Sequence, residues 1–424
     1  MCKWMWVVLK AISVRETSCL KGTVSIQGSK NTVLPIIAAT LLANGVSVIY
    51  NCPHIEDVKV MCKLLECLNV KTTLTNHVLT IDTSNARYAC LPEELTCKLR
   101  SSVLLLGSML AKWEKARLGM PGGCAIGMRP IDIHIDGFKA MNVNVDCDEG
   151  VLCCASSGLS GCDYTLRYPS VGATENLLIA ASGIESVTVL RGVAKEPEVI
   201  ELCKYLTSMG ACIEGIGTDV LIIKGCALLK SVTYTNVYDR IVAGTYLLLA
   251  TAMNSEVRLT GINDISYLKN VILVCIKLGA CIIKINDSIR IASDGFVKAG
   301  DFSTGIYPDF PTDLQPVLAA VLMRASGESV ITETVFENRF SIAKELSKLD
   351  ADITVDKNKM IINGKKEIQG HTVKATDLRQ GAALVVAGVM ARGYTTITDI
   401  SFIERGYEDI VGDVASLGVD IAYV

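Results

Sequence analysis

A unit of about 70 residues occurs six times along this chain, and that repetition limits its fold more than any other feature. Each copy opens with an apolar, helix-like run and continues into a second. It then turns at a Leu-Gly-Ala-like corner, found at Asn69, Asn142, Gly210, Gly279, Asp350 and Gly418. Successive corners lie 73, 68, 69, 71 and 68 residues apart. That spacing is too even for chance and exceeds the roughly 20 to 50 residues of common solenoid repeats, so the pattern is duplication and not an open-ended array. The first apolar run of every copy begins with polar or charged residues: Lys30-Asn31, Arg100-Ser101, Ser170-Val171-Gly172, Asp239-Arg240, Asp313 and Asp377-Leu378-Arg379. Cations at helix starts point to an anionic ligand.

Six units in 424 residues divide most simply into two domains of three. Half of the residues are hydrophobic and only 5% aromatic, so the core is built mainly from Val, Ile, Leu and Ala. A formal charge of −3 without a basic cluster argues against nucleic acid or an anionic membrane surface as a partner, while leaving room for a small anion at a local site. The 17 cysteines are odd in number and contain no Cys-x-x-Cys pair, which fits a reduced, cytoplasmic protein. Most, including Cys62, Cys203 and Cys275, fall in apolar runs as small hydrophobes. Histidines at 54, 77, 134 and 371 are too few for a His-rich centre, and no metal is expected. The apolar stretch within Met1 to Leu9 is too short to span a bilayer, which takes about 20 apolar residues, and it lacks a signal-cleavage region. Val33 to Ala43 and Ile241 to Ala252 read as core helices, so no membrane insertion is expected.

Within one repeat the order reads helix, strand, helix and a pair of strands. In the third copy these are Ala173 to Ala181, Val187 to Leu190, Glu196 to Met209, Ala211 to Ile213 and Val220 to Ile223. The first helix is apolar on nearly every side and must be enclosed. The strands then lie outside it, and the second, amphipathic helices face water. Pro35 and Pro316 fall near helix starts, where proline is best tolerated. One segment breaks the regularity. From Gly119 to Pro130 the chain reads Gly-Met-Pro-Gly-Gly-Cys-Ala-Ile-Gly-Met-Arg-Pro, which excludes a regular helix and allows close approach of backbone amides to a ligand. Cys124, in a polar context five residues from Arg129, is set apart from the other cysteines because a nearby cation favours its thiolate.

This loop, followed by Asp132 and His134, resembles the mobile active-site loop of the UDP-N-acetylglucosamine 1-carboxyvinyltransferases, members of the EPSP synthase superfamily. Further segments agree in order: Gly28-Ser29-Lys30-Asn31, Ser170 to Asn176, Phe310 to Gln315, Glu333 to Phe340, Ala375 to Arg379 and Arg405 to Glu408. The resemblance runs from about residue 12 onward. It implies a two-domain inside-out α/β barrel of six βαβ-type units, with domains at 30–237, carrying a mobile loop at about 119–130, and at 1–29 plus 238–424. The amino-terminal strand would join the second domain, and the domains would close on the ligands.

The implied reaction moves the enolpyruvyl group of phosphoenolpyruvate to the 3′-hydroxyl of UDP-N-acetylglucosamine and releases phosphate, as the first committed step of peptidoglycan synthesis. No metal or organic cofactor is implied, and a monomer is favoured. By resemblance Lys30, Arg129 and Arg405 hold the phosphate, with Arg100 close by, and Arg339 and Arg379 serve the carboxylate side. Arginine suits such anions because its fork binds them in a bidentate way. Cys124 is the implied acid, the thiol that adds to phosphoenolpyruvate and is alkylated by fosfomycin. Asp313 is the implied base, although the local sequence alone reads more naturally as a helix cap. Asn31 is expected near the sugar; Arg129, Pro130, Ile131, Asp132 and Ile133 around the uridine; Ser170, Val171 and Gly172 at the diphosphate; and Val335 as an apolar wall. His134 is expected to orient the loop or phosphoenolpyruvate, a structural role being an equal alternative.

The chain departs from the family pattern at Val242, where Glu is common, at Lys195, where Arg is usual, and over its first ten residues. These departures keep open a divergent second copy or a regulatory, non-catalytic UDP-sugar-binding paralogue. The sister transferase acting on shikimate 3-phosphate is disfavoured, since that family lacks the cysteine loop.

Overall fold

The computed structural model describes residues 10–122 and 130–424. Cys124, Arg129, the rest of 123–129 and the apolar stretch at 1–9 lie outside the described residues. Two compact units emerge: an inserted unit of residues 27–122 and 130–239, and a flanking unit of residues 10–26 and 240–424. Among the described residues, no helix is long and apolar enough to cross a membrane.

Three helices form the centre of the inserted unit: α1 (Lys30–Ala39), α2 (Leu105–Trp113) and α3 (Val171–Ser182). Each touches the other two. The flanking unit repeats the arrangement with α4 (Arg240–Ala252), α5 (Gln315–Leu322) and α6 (Leu378–Met390), again in mutual contact. Every residue of α5 and α6 is buried, as is every residue of α4 from Ile241 on and of α3 from Ala173 on. These are the helices whose sequences lack a polar face, and enclosure on all sides follows from that. Val242 lies wholly inside α4, an environment where a valine avoids the desolvation cost that a carboxylate would carry.

Among the described residues, each unit carries three sheets. In the inserted unit one sheet orders Thr233–Thr235, Val46–Tyr50, Val78–Asp82 and Lys71–Thr75, and a second orders Cys212–Glu214, Val220–Lys224, Val187–Arg191 and Asp163–Thr165. The third has the three strands Lys115–Gly119, Val151–Ala155 and Asn144–Asp148. Strand positions alternate between buried and accessible, as in Val187–Arg191, where Thr188 and Leu190 point inward. One sheet face therefore covers the helices and the other meets solvent.

The third repeat forms the elements its sequence predicts, each within about two residues. One recurring element was not predicted. Three-residue strands at Asp163–Thr165, Thr233–Thr235, Asp301–Ser303 and Thr372–Lys374 each pair in parallel with an edge of their sheet. They are too short to carry a readable alternation. At both crossings between the units, the strand entering the crossing belongs to the unit it is leaving. Cys19–Ser25 pairs with Asn254–Thr260, and Thr233–Thr235 pairs with Val46–Tyr50.

All six corners have the left-handed backbone that ends a helix: φ is 60° at Asn69, 67° at Asn142, 121° at Gly210, 123° at Gly279, 62° at Asp350 and 92° at Gly418. Pro316 is the second residue of α5, where its missing N–H costs little. Pro35 sits inside α1, so it has no N–H to offer the Asn31 carbonyl one turn earlier.

Gly107 shows how tightly the central helices meet. A Cβ there would lie 2.3 Å from the Asn176 carbonyl oxygen and 2.7 Å from Asn176 Oδ1. Gly107→Ala is expected to destabilise the protein by about 1–3 kcal/mol despite the better helix propensity of alanine. Chemical denaturation of the two proteins checks this, and an alanine variant as stable as the parent contradicts the packing.

Candidate active site

The segments that lead into the central helices carry the expected polar residues. Ser29 caps α1, its Oγ accepting from Thr32 N at 3.2 Å. Lys30 follows as the first helical residue. Its backbone N–H donates to Asp239 Oδ2 at 3.0 Å, and its Nζ lies 2.7 Å from Asp57 Oδ2. Asp57 stands in the first turn of the helix Glu56–Cys67 and is almost wholly buried. The sequence reading assigned it no role; a carboxylate near the start of an amphipathic helix reads as a dipole partner until the fold brings Lys30 to it. Asn31, half-buried, follows Lys30.

Arg100 begins a 3-10 turn, Arg100–Leu104, that leads into α2, and its Nη2 donates to the Pro130 carbonyl at 3.1 Å. Buried Ile131 precedes the helix Asp132–Ala140. Asp132 heads that helix, receives Ile133 N at 2.9 Å and is paired with the Arg167 guanidinium, which also reaches Asp136 at 2.9 Å. His134, two residues after Asp132, is buried, with Nδ1 3.0 Å from Asn176 Nδ2. Ser170 caps α3, its Oγ accepting from Ala173 N at 3.4 Å, and Val171 and Gly172 form the first turn. A Cβ on Gly172 would sit 3.5 Å from His134 Cε1. The fold thus joins Arg100, Pro130, Asp132, His134 and Gly172 into one cluster.

In the flanking unit Asp313 lies in the 3-10 turn Thr312–Leu314 that precedes α5 and makes no cap to it. The local expectation of a capping aspartate is therefore corrected: its carboxylate is taken by two arginines. Oδ1 accepts from Arg339 Nη2 at 2.6 Å, while Oδ2 accepts from Arg379 Nε at 3.0 Å and lies 2.8 Å from its Nη2. Both arginine side chains are nearly enclosed, at 2% and 6% exposure, whereas Asp313 keeps 29%, so the carboxylate is the part of the cluster that meets solvent. Arg379 is held by position: Asp377 caps α6 by accepting from Arg379 N at 2.8 Å and Gln380 N at 2.9 Å. Arg339 also donates through Nε to the Thr312 carbonyl at 3.1 Å.

Buried Glu333, which the sequence reading quoted without a role, ties two candidate segments together. Its Oε1 accepts from Val335 N at 2.8 Å and its Oε2 from Thr312 Oγ1 at 2.9 Å. Val335 is half-buried on that loop. Arg405 ends the turn Ile400–Arg405, and the following Tyr407 hydroxyl is anchored 2.8 Å from Thr245 Oγ1 of α4.

A profile of the family described as EPSP synthase (3-phosphoshikimate 1-carboxyvinyltransferase) matches residues 14–414. The chain belongs to this family. Among curated relatives, UDP-N-acetylglucosamine 1-carboxyvinyltransferase of Halothermothrix orenii is 41% identical over 405 residues, covering 96% of this chain and 97% of that protein. UDP-N-acetylglucosamine 1-carboxyvinyltransferase 2 of Caldanaerobacter subterraneus subsp. tengcongensis is 41% identical over 407 residues, covering 96% of this chain and 97% of that protein. Solved structures with the same fold include the enolpyruvyl transferase NikO from Streptomyces tendae, with TM-score 0.89 at 24% identity over 98% of this chain and 99% of that one. EPSP synthase from Acinetobacter baumannii has TM-score 0.76 at 18% identity over 98% of this chain and all of that one.

Protonation in this family member follows burial. Cys62 is pushed up to about 11, and Cys203 and Cys275 to about 12, so these thiols are inert packing groups. His134 is driven down to about 3, first by burial and then by the Arg100 charge, against the opposing pull of Asp132. From its ordinary value of 6.5 down to about 3, the unfolded chain binds a proton that the folded chain refuses. Stability therefore falls as pH drops through this window, by about 1.4 kcal/mol per pH unit from this residue. His134→Gln is expected to shrink the difference in unfolding free energy between pH 7 and pH 5 by about 2 kcal/mol. Denaturant titrations at the two pH values check it, and an unchanged difference rules out a neutral, buried imidazole.

Proposed function

We propose that this chain transfers the enolpyruvyl group of phosphoenolpyruvate to the 3′-hydroxyl of UDP-N-acetylglucosamine and releases phosphate. The observation that carries the reading is identity of about 41% along nearly the whole length of proteins named for that reaction. In support, Cys124, Asp313, Lys30 and the arginine set are all present. The Cys124 thiol delivers a proton to the methylene carbon of phosphoenolpyruvate while the sugar hydroxyl adds to the neighbouring carbon and gives its proton to Asp313. A tetrahedral intermediate forms; loss of phosphate, with a proton from the new methyl group, regenerates the enol ether on the sugar. A carboxylate within hydrogen-bond reach can serve as the base.

Lys30 is held by Asp57 in a fixed geometry, as a point charge for the phosphate. Arg100, Arg129 and Arg405 add further cations, while Arg339 and Arg379 orient Asp313 and serve the carboxylate of phosphoenolpyruvate. Asn31 meets the sugar, residues 129–133 the uridine, Ser170 to Gly172 the diphosphate, and Val335 one apolar wall. We place the activity in the cytoplasm as the first committed step of peptidoglycan synthesis, in a monomer, with Cys124 as the group alkylated by fosfomycin.

The test is phosphate release from purified protein given phosphoenolpyruvate with UDP-N-acetylglucosamine or with shikimate 3-phosphate, and the nucleotide product is weighed by mass spectrometry. Phosphate and an enolpyruvyl adduct are expected with the UDP-sugar alone. Binding of the UDP-sugar without turnover points instead to the regulatory paralogue. Lys30→Ala is expected to lower kcat/KM for phosphoenolpyruvate by about 100-fold or more. Cys124→Ser is expected to lower kcat by roughly 100- to 10,000-fold, the usual contribution of a positioned acid. Full turnover in the serine variant removes Cys124 from the acid role.

A further inference from the structure

Asn176 lies wholly buried in α3, facing α2. Its Oδ1 accepts from Gly107 N at 2.8 Å and its Nδ2 donates to the Val103 carbonyl at 2.9 Å. These backbone groups decide which way the amide faces. A reversed amide would set N–H against N–H and oxygen against oxygen, and both bonds would be lost. The second Nδ2 hydrogen then points at His134 Nδ1, 3.0 Å away. A donor is already there, so Nδ1 is the acceptor and the ring hydrogen resides on Nε2.

The other edge of the ring lies against the first turn of α3, where a Cβ on Gly172 would be 3.6 Å from Nε2. Among the described residues Nε2 has no hydrogen-bond partner, although the side chain is 5% exposed. The neighbouring charges act in two directions. Arg100 opposes a positive ring, and Asp132, which would favour one, is paired with Arg167. The ring therefore remains an uncharged donor at a helix start, the part of a helix that favours anions.

We propose that Asn176 is a positioning residue that locks His134 in its Nε2–H tautomer, so that the imidazole donates to a phosphate oxygen of a ligand at the start of α3. The inference rests on the proposed function, which supplies two phosphate-bearing ligands for this site. It explains why an amide is needed at this point in the Ser170 to Asn176 segment. Only an amide both accepts from Gly107 and donates twice.

The test is nitrogen NMR of the full-length chain labelled at histidine, with His134→Gln identifying the resonance. The protein is examined alone, with UDP-N-acetylglucosamine and with phosphoenolpyruvate, and calorimetry registers binding in parallel. We expect the Nε2–H pattern for His134 from pH 5 to 8 and a shift of Nε2 on adding UDP-N-acetylglucosamine. A shift with phosphoenolpyruvate alone keeps the donor and assigns it to that phosphate. An Nδ1–H pattern in the free protein overturns the lock. An Nε2 resonance unmoved by either ligand, while calorimetry registers binding, overturns the contact. Absence of binding in calorimetry overturns the proposed function and the contact together, and the tautomer of the free protein still judges the lock on its own. Asn176→Asp, which exchanges the donor for an acceptor, is expected to reverse the tautomer and weaken UDP-N-acetylglucosamine at least tenfold. An unchanged tautomer and affinity in that variant count against Asn176, and if the variant does not fold, the spectra of the parent decide.

Discussion

A helix enclosed on every side has only its ends to offer a ligand. In both units the central helices are packed against one another and covered by sheets, so a charge in mid-helix pays desolvation, and burial pushes Glu175 inside α3 well towards its neutral form. Polar chemistry is pushed to the first turns, where backbone N–H groups are unsatisfied and the helix field favours negative charge. Lys30, Arg100, Ser170, Asp313 and Arg379 all stand within or just before a first turn. Packing thereby places the functional residues before any question of chemistry arises.

Once there, each group is fixed by a second layer drawn from elsewhere in the chain. Asp57 holds Lys30, Asp377 sets the backbone of Arg379, Glu333 links the loop of Val335 to Thr312, and Asn176 holds His134. Most of these holders are nearly inaccessible, which fits groups that orient others by hydrogen bonds in a low-dielectric setting. The Asp313 cluster goes further. Two almost buried guanidiniums meet one partly accessible carboxylate, so the charges that hold this acid in place are also groups suited to binding an anion.

Much of this organisation was legible in the sequence, for identifiable reasons. Duplication exposes itself through spacing, and all six corner residues have the positive φ that Gly, Asn or Asp tolerates best. Uniformly apolar runs mark enclosed helices because nothing else can bury every side. The three-residue parallel strands escaped notice, since so short a segment has no period to read. The 3-10 turns at Arg100–Leu104 and Thr312–Leu314 blurred two helix starts, and the second turned an apparent capping aspartate into an arginine-bound one. Asp57 and Asn176 went unassigned because their partners lie on other helices; Asn176 meets Val103 and Gly107 across about 70 positions.

The path of the chain also sets an order of assembly. The described residues of the inserted unit all come from between the two parts of the flanking one, as 27–122 and 130–239, and its last strand is Thr233–Thr235. The flanking unit is discontinuous, and its first strands come from residues 12–25. Cys19–Ser25 must wait for a partner that begins at Asn254, and Ile12–Arg15 lies between Tyr394–Thr398 and Ile421–Tyr423. Those early strands have their pairing partners only far along the chain, beyond the whole span that builds the inserted unit. Residues 421–424 close one edge of this sheet, with Val424 and Ala11 exchanging two backbone hydrogen bonds of 2.9 Å. Removing residues 421–424 would therefore bare the Ile12–Arg15 edge of this sheet without touching any strand of the inserted unit.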